Sequence, residues 1–121
     1  MILLDYKDRR PIYEQVTEKF KTLILSGVLK EGDSMPSVRS LATSLSVNPN
    51  TIQRAYAKLE QDDFIYTVSG KGSFVSCIDT LMTEQKRDWF HRLDELVKEG
   101  SILHISPEEI YEHIKQADHS S

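Results

Sequence analysis

Between Leu45 and Pro49 the chain ends one helix and starts another, with only Ser46, Val47 and Asn48 in between. Upstream, Val38, Leu41, Ala42 and Leu45 recur on one face of a short helix predicted over Ser37 to Leu45. Downstream, Asn48-Pro49 offers an N-cap side chain followed by proline at the first helical position, where the missing N–H has no intrahelical partner to lose. The second helix is predicted to reach about Gln61, with Ile52, Ala55, Tyr56 and Leu59 inward. Two helices joined by so short a turn form a helix-turn-helix, which can set its second helix in a DNA major groove while the first crosses the backbone.

The flanking segments extend that motif. Pro11 to Ser26 reads as a helix closed by Gly27, with Ile12, Val16, Phe20, Leu23 and Ile24 in one apolar stripe. Asp33 to Pro36 reads as a turn or a short extended piece. After the helix-turn-helix, Phe64 to Val68 and Ser73 to Ser76 are rich in β-formers, and Ser69-Gly70-Lys71-Gly72 makes a hairpin turn between them. The predicted fold class is therefore α+β: a winged helix-turn-helix over residues 1–77, followed by a short α-helical tail over residues 78–121.

In the tail, Ile78, Met82, Trp89, Leu93 and Val97 form a second amphipathic stripe, with Gly100 as its expected end. Ser106-Pro107-Glu108-Glu109 signals a further helix, Ser106 and Glu109 standing at capping-box spacing, with Ile110 and Ile114 inward before a frayed end over residues 118–121. Two helices of this length are too little to enclose a pocket of several hundred cubic ångströms unaided. Their stripe requires a partner, and a second copy is the simplest, since twofold homodimers predominate. Met82, Trp89, Leu93 and Val97 are thus expected at a dimer interface. A twofold dimer would present two recognition helices about 34 Å apart to a palindromic double-stranded DNA.

Charge is distributed to match. Residues 1–77 carry 10 Lys+Arg against 9 Asp+Glu, and residues 78–121 carry 5 against 10, so the overall −4 belongs to the tail. A near-neutral head leaves room for a local basic face. On the predicted recognition helix, the face opposite Ile52, Ala55 and Leu59 holds Asn50, Gln53, Arg54 and the small Ala57. Asn and Gln pair with adenine, and Arg pairs bidentately with guanine. Ser37 and Arg39, opening the preceding helix, suit phosphate contact. Gly70-Lys71-Gly72 gives a narrow wing tip with one cation.

These residues also resemble a family. Pro36-Ser37-Val38-Arg39 with Leu41-Ala42, then Val47-Asn48-Pro49-Asn50-Thr51-Ile52-Gln53-Arg54-Ala55-Tyr56 and Leu59-Glu60, and finally Gly70-Lys71-Gly72-Ser73-Phe74-Val75, are similar to the GntR family of bacterial repressors. The two-helix tail is similar to that of its YtrA-like subfamily. The resemblance implies DNA contact by Ser37, Arg39, Asn48, Asn50, Thr51, Gln53, Arg54, Gly70 and Lys71, and it implies a transporter operon as the target. Asp63 departs from the glycine common there before the first wing strand. Aspartate tolerates the left-handed conformation that such a turn needs.

Other chemistries find little footing. The single cysteine, Cys77, excludes an internal disulfide and points to a reduced, cytoplasmic setting. No apolar run approaches the roughly 20 residues of a membrane span, and the N-terminus turns acidic too soon for a signal peptide. His91, His104, His113 and His119 lie in the acidic tail near several carboxylates, but no close His/Asp/Glu ligand set recurs on one helical face, so no metal is expected. Gly70-Lys71-Gly72-Ser73 lacks phosphate-loop spacing. The expectation is a non-enzymatic regulator without a cofactor, its effector unknown. The competing reading is a winged-helix module for protein assembly, against which Gln53, Arg54 and Lys71 weigh.

Overall fold

The computed structural model describes residues 4, 5 and 7–119, the side chain of His119 excepted. Its elements run α1 (Ile12–Leu25), α2 (Val38–Leu45), α3 (Pro49–Gln61), β1 (Ile65–Val68), β2 (Gly72–Val75), α4 (Ile78–Ile102) and α5 (Pro107–His119). Two compact units divide between Thr83 and Glu84: a head, Met1–Thr83, and a tail, Glu84–Ser121. The composition change after Cys77 marks where α4 begins. The compact head extends further because Leu81, in the first turns of α4, is buried in its core.

In the head, α1, α3 and the hairpin close over Val16, Phe20, Ile24, Ile52, Leu59, Phe64 and Val75, all fully buried. Each such side chain stabilises the fold by about 1.5–3 kcal/mol. The rings of Phe20 and Tyr56 meet edge to face at 5.8 Å. The Tyr56 hydroxyl, whose pKa burial pushes up, donates to the Pro36 carbonyl at 2.7 Å. That bond ties α3 to the entry of α2.

Asn48 caps α3 as read from sequence, whereas α2 begins at Val38, one residue later than predicted, with Ser37 as its cap. Ser37 Oγ accepts from the Ser40 amide at 3.1 Å, and Asn48 Oδ1 accepts from the Asn50 amide at 2.8 Å. Pro11 stands one residue outside α1 with an extended ψ of 146°, rather than inside its first turn. Helix ends hold more surprise. At the end of α3, Phe64 N–H reaches the Leu59 carbonyl at 2.9 Å while Asp63 adopts φ 63°, the left-handed conformation expected of that position. Ser46 does the same after α2 at φ 56°, with Val47 N–H bonded to the Ala42 carbonyl at 3.0 Å.

The wing pairs Ile65 with Val75 and Val68 with Gly72, antiparallel. The segment before α2 is more than a turn. Gly32 N–H bonds the Val75 carbonyl at 2.8 Å, Val75 N–H bonds Asp33 at 2.9 Å, and Met35 N–H bonds Ser73 at 2.8 Å. Residues 32–35 thus line the free edge of β2, with a bridge between Ser34 and Phe74. β2 is therefore flanked on both edges, by β1 and by this segment.

In the tail, α4 passes Gly100 and ends at Ile102. The terminating left-handed residue is His104, φ 60°, with Ile105 N–H bonded to the Gly100 carbonyl at 2.9 Å. Gly100 is buried within the helix, and a Cβ there would make only ordinary contact with Cβ of Ile105, at 3.7 Å. Ser106 Oγ caps α5, accepting from Glu109 N–H at 3.2 Å. Ile110 is half-buried, but Ile114 is exposed rather than inward. Ser120 and Ser121, the end of the expected fraying, lie outside the described residues. Among the described residues no helix is long and apolar enough to cross a membrane.

Candidate nucleic-acid interface

The start of α2 and the tip of the wing share a groove of about 420 Å³, lined by Ser37 and Val38, by Tyr56, and by Lys71, Gly72 and Ser73. The backbone explains the convergence. Residues 32–35 are bonded along β2, so the chain leaves the wing directly into the Ser37 cap. At the tip, Lys71 N–H closes on the Val68 carbonyl at 2.9 Å, and Gly70 (φ 78°) and Gly72 (φ 104°) take conformations that a side chain would strain. Lys71 is left exposed between them. Although its oxygen accepts in the cap, the Ser37 hydroxyl keeps its own proton to donate outward. The Asn48 amide likewise keeps its NH₂.

On α3, Asn50, Gln53, Arg54 and Ala57 are exposed, opposite the buried Ile52, Ala55, Tyr56 and Leu59. Thr51 is half-buried at the margin. Arg39 is exposed on α2. The structure therefore brings Ser37 and Lys71 to one groove and sets Asn50, Gln53 and Arg54 on one solvent-facing side of α3.

Cations of the head fall into two sets. Lys21 and Lys58 are engaged by Asp62, at 2.7 and 3.3 Å. Burial acts to raise the Asp62 pKa, but the hydrogen bonds and charges of Lys21 and then Lys58 outweigh it and hold the carboxyl below its ordinary value. Arg10 is engaged by Asp8 at 2.7 Å and by Glu18. Among the described residues, Arg39 and Lys71 form no ion pair, and neither do Lys7, Arg9, Lys19, Lys30 and Arg54, so their charge is available to an external anion.

Two features escape sequence reading. Arg54 lies over the ring of Tyr13, its Cζ 3.8 Å from the centroid. Buried Gln15 accepts from Asp5 N–H and donates to the Arg10 carbonyl, each at 3.1 Å, pinning the segment before α1. The only signal for either is a polar or amphipathic side chain beside the apolar stripe of α1.

The four tail residues expected at an interface are distributed as follows. Met82 belongs to the head unit and is 37% exposed. Trp89 and Val97 are exposed in the tail, and Leu93 is half-buried. Leu93 and Val97 line an apolar cavity of about 240 Å³ with Leu96, Leu103, Ile105 and Ile110. Cys77 is an exposed free thiol. Among the described residues no cluster of three His, Cys, Asp or Glu could hold a metal, and the His119 side chain lies outside them.

A trihelical head closed by a braced hairpin, with amide and guanidinium groups on the exposed side of its third helix, defines a winged helix-turn-helix, DNA-binding transcriptional regulator. Residues 12–75 match the bacterial regulatory proteins of the gntR family, and the chain belongs to that family. It is 37% identical to the HTH-type transcriptional repressor YtrA of Bacillus subtilis (strain 168), over 96% of this chain and 91% of that one. A GntR family transcriptional regulator from Listeria monocytogenes superposes with a TM-score of 0.72 at 40% identity, over 93% of this chain and 98% of the other. The DNA-binding domain of AraR, solved in complex with operator ORR3, superposes with a TM-score of 0.54 at 28% identity, over 61% of this chain and 89% of that domain.

Proposed function

We propose that the protein is a homodimeric, non-enzymatic repressor that occludes a promoter by binding a palindromic operator in the cytoplasm. The observation carrying this reading is the shared groove of the α2 cap and wing tip, where Ser37 and Lys71 converge beside α3. There, Ser37, Arg39, Asn48 and Lys71 contact phosphates, with Gly70 letting the wing backbone approach closely. Asn50, Thr51, Gln53 and Arg54 meet the major groove and its rims. The likeness to an operator-bound domain supports this assignment, and the likeness to a curated repressor supports the direction of regulation. A transporter operon is the target implied by family resemblance.

Dimerisation is the task of the tail. Trp89, Leu93 and Val97 supply an apolar surface that water disfavours, and Met82 is the head's exposed member of the stripe. Selection of bound duplexes from a random pool by the full-length chain tests the reading. An inverted repeat is the expected consensus. Affinity should fall steeply with salt, and Arg39→Ala should weaken all duplexes about equally. Undetectable binding at low salt would replace the repressor with a protein-assembly module.

A further inference from the structure

Gln53 and Arg54 are neighbours on α3 with different surroundings. Gln53 is exposed and has no polar partner among the described residues. The Arg54 guanidinium is stacked on Tyr13 of α1, 3.8 Å from the ring centroid. Tyr13 is itself half-buried and packed against the head core. Its hydroxyl donates to Glu14 Oε1 at 3.3 Å, so the ring face, rather than the oxygen, meets the arginine.

Successive residues on a helix point about 100° apart. The stack draws Arg54 towards α1, away from the line through Asn50, Gln53 and Ala57. On a helix lying in the major groove, the central line meets base edges and the flanks meet phosphates. A guanidinium held on an aromatic face keeps its N–H groups free at the rim, and its rotamer freedom is restricted before any anion arrives.

We propose that Tyr13 is a positioning residue that holds Arg54 on the flank of α3 as a phosphate contact, leaving base readout to Gln53. The assignment rests on the DNA interface proposed above and divides two roles that the sequence leaves open. It also gives α1, otherwise a core helix, a part in binding.

The test compares the full-length chain with Gln53→Ala, Arg54→Ala, Tyr13→Leu, Tyr13→Phe and the Tyr13→Leu/Arg54→Ala pair, in site selection and in salt titrations. Arg54→Ala should weaken selected and random duplexes alike, by roughly five- to tenfold at low salt, and reduce the salt slope by about 0.9. Its selected consensus should match that of the wild type. Tyr13→Leu should act in the same direction by roughly two- to fivefold and add nothing on the Arg54→Ala background. Tyr13→Phe, which keeps the ring, should restore wild-type binding. Gln53→Ala should relax one position of each half-site. An altered consensus for Arg54→Ala overturns the division of roles. Equal losses from Tyr13→Leu with and without Arg54 would make the tyrosine merely structural, as would a Tyr13→Phe protein no better than Tyr13→Leu. A wild-type chain that enriches no sequence removes the DNA interface itself, a failure visible before any variant is made.

Discussion

In the head, large apolar side chains such as Phe20, Ile52 and Phe64 are fully buried within one chain; in the tail, Trp89, Phe90, Leu96, Ile102, Leu103 and Ile114 are all more than half exposed. Gly100 is the tail's one buried residue among those described. Both regions have amphipathic helices and side-chain caps, at Ser37 and Asn48 in the head and at Ser106 in the tail, so helix formation does not distinguish them. What differs is whether the apolar faces find each other. The head closes its own core, and the tail leaves large apolar side chains in water. If the tail dimerises as proposed above, folding and assembly are separable by mutation.

The largest expected effect lies in the head. Phe20→Ala would leave a cavity beneath Tyr56 and should cost about 3–5 kcal/mol, read by chemical denaturation. A loss below about 1 kcal/mol would break the claim of a closed core. Next comes Leu93→Asp, which places a carboxylate on the apolar tail surface. Sedimentation should show a folded monomer, and gel shifts should show affinity for a palindrome reduced by about a hundred- to a thousandfold, with half-site binding kept. A variant that remains dimeric would move the interface away from Leu93.

A smaller effect concerns the ion pairs within the head. Asp62→Ala should cost about 0.5–1 kcal/mol at neutral pH, since the pairs with Lys21 and Lys58 are only partly buried. Asp62 is held below its ordinary value of 3.8 in the folded chain. Its contribution is therefore complete above that value and is lost as the pH falls through the lower folded value. Wild type and variant should converge in stability there, and a gap that persists in acid would refute the linkage. Smallest is Asp63→Gly, which relieves a positive φ while loosening the unfolded chain, for a gain of about 0.5 kcal/mol in head stability. His104→Gly makes the same backbone change in the tail and should leave the head's denaturation midpoint unmoved.

What the sequence discloses follows the range of each interaction. Caps act over two or three residues, and those at Asn48 and Ser106 are legible in composition and spacing. The brace along β2 joins residues 32–35 to residues 73–75, and no local pattern announces a pairing across that distance. Gly100 misleads for a related reason. A glycine near a helix end suggests termination, yet this one lies buried inside the helix, and His104 accepts the left-handed turn. Within the candidate interface, periodicity locates the exposed side of α3. It cannot separate Gln53 from Arg54, because Tyr13 reaches only one of them across α1.

Gln15 grips the preceding segment by its main chain alone, taking the Asp5 amide with one end of its carboxamide and the Arg10 carbonyl with the other. Every amino acid but proline offers the first group, and every amino acid offers the second. The clasp is therefore indifferent to which side chains lie between its two points of attachment and sensitive to how many there are. Substitution within that stretch leaves the clasp itself in place, although Asp8 also holds Arg10 through its side chain, whereas insertion or deletion would throw the two points of attachment out of register.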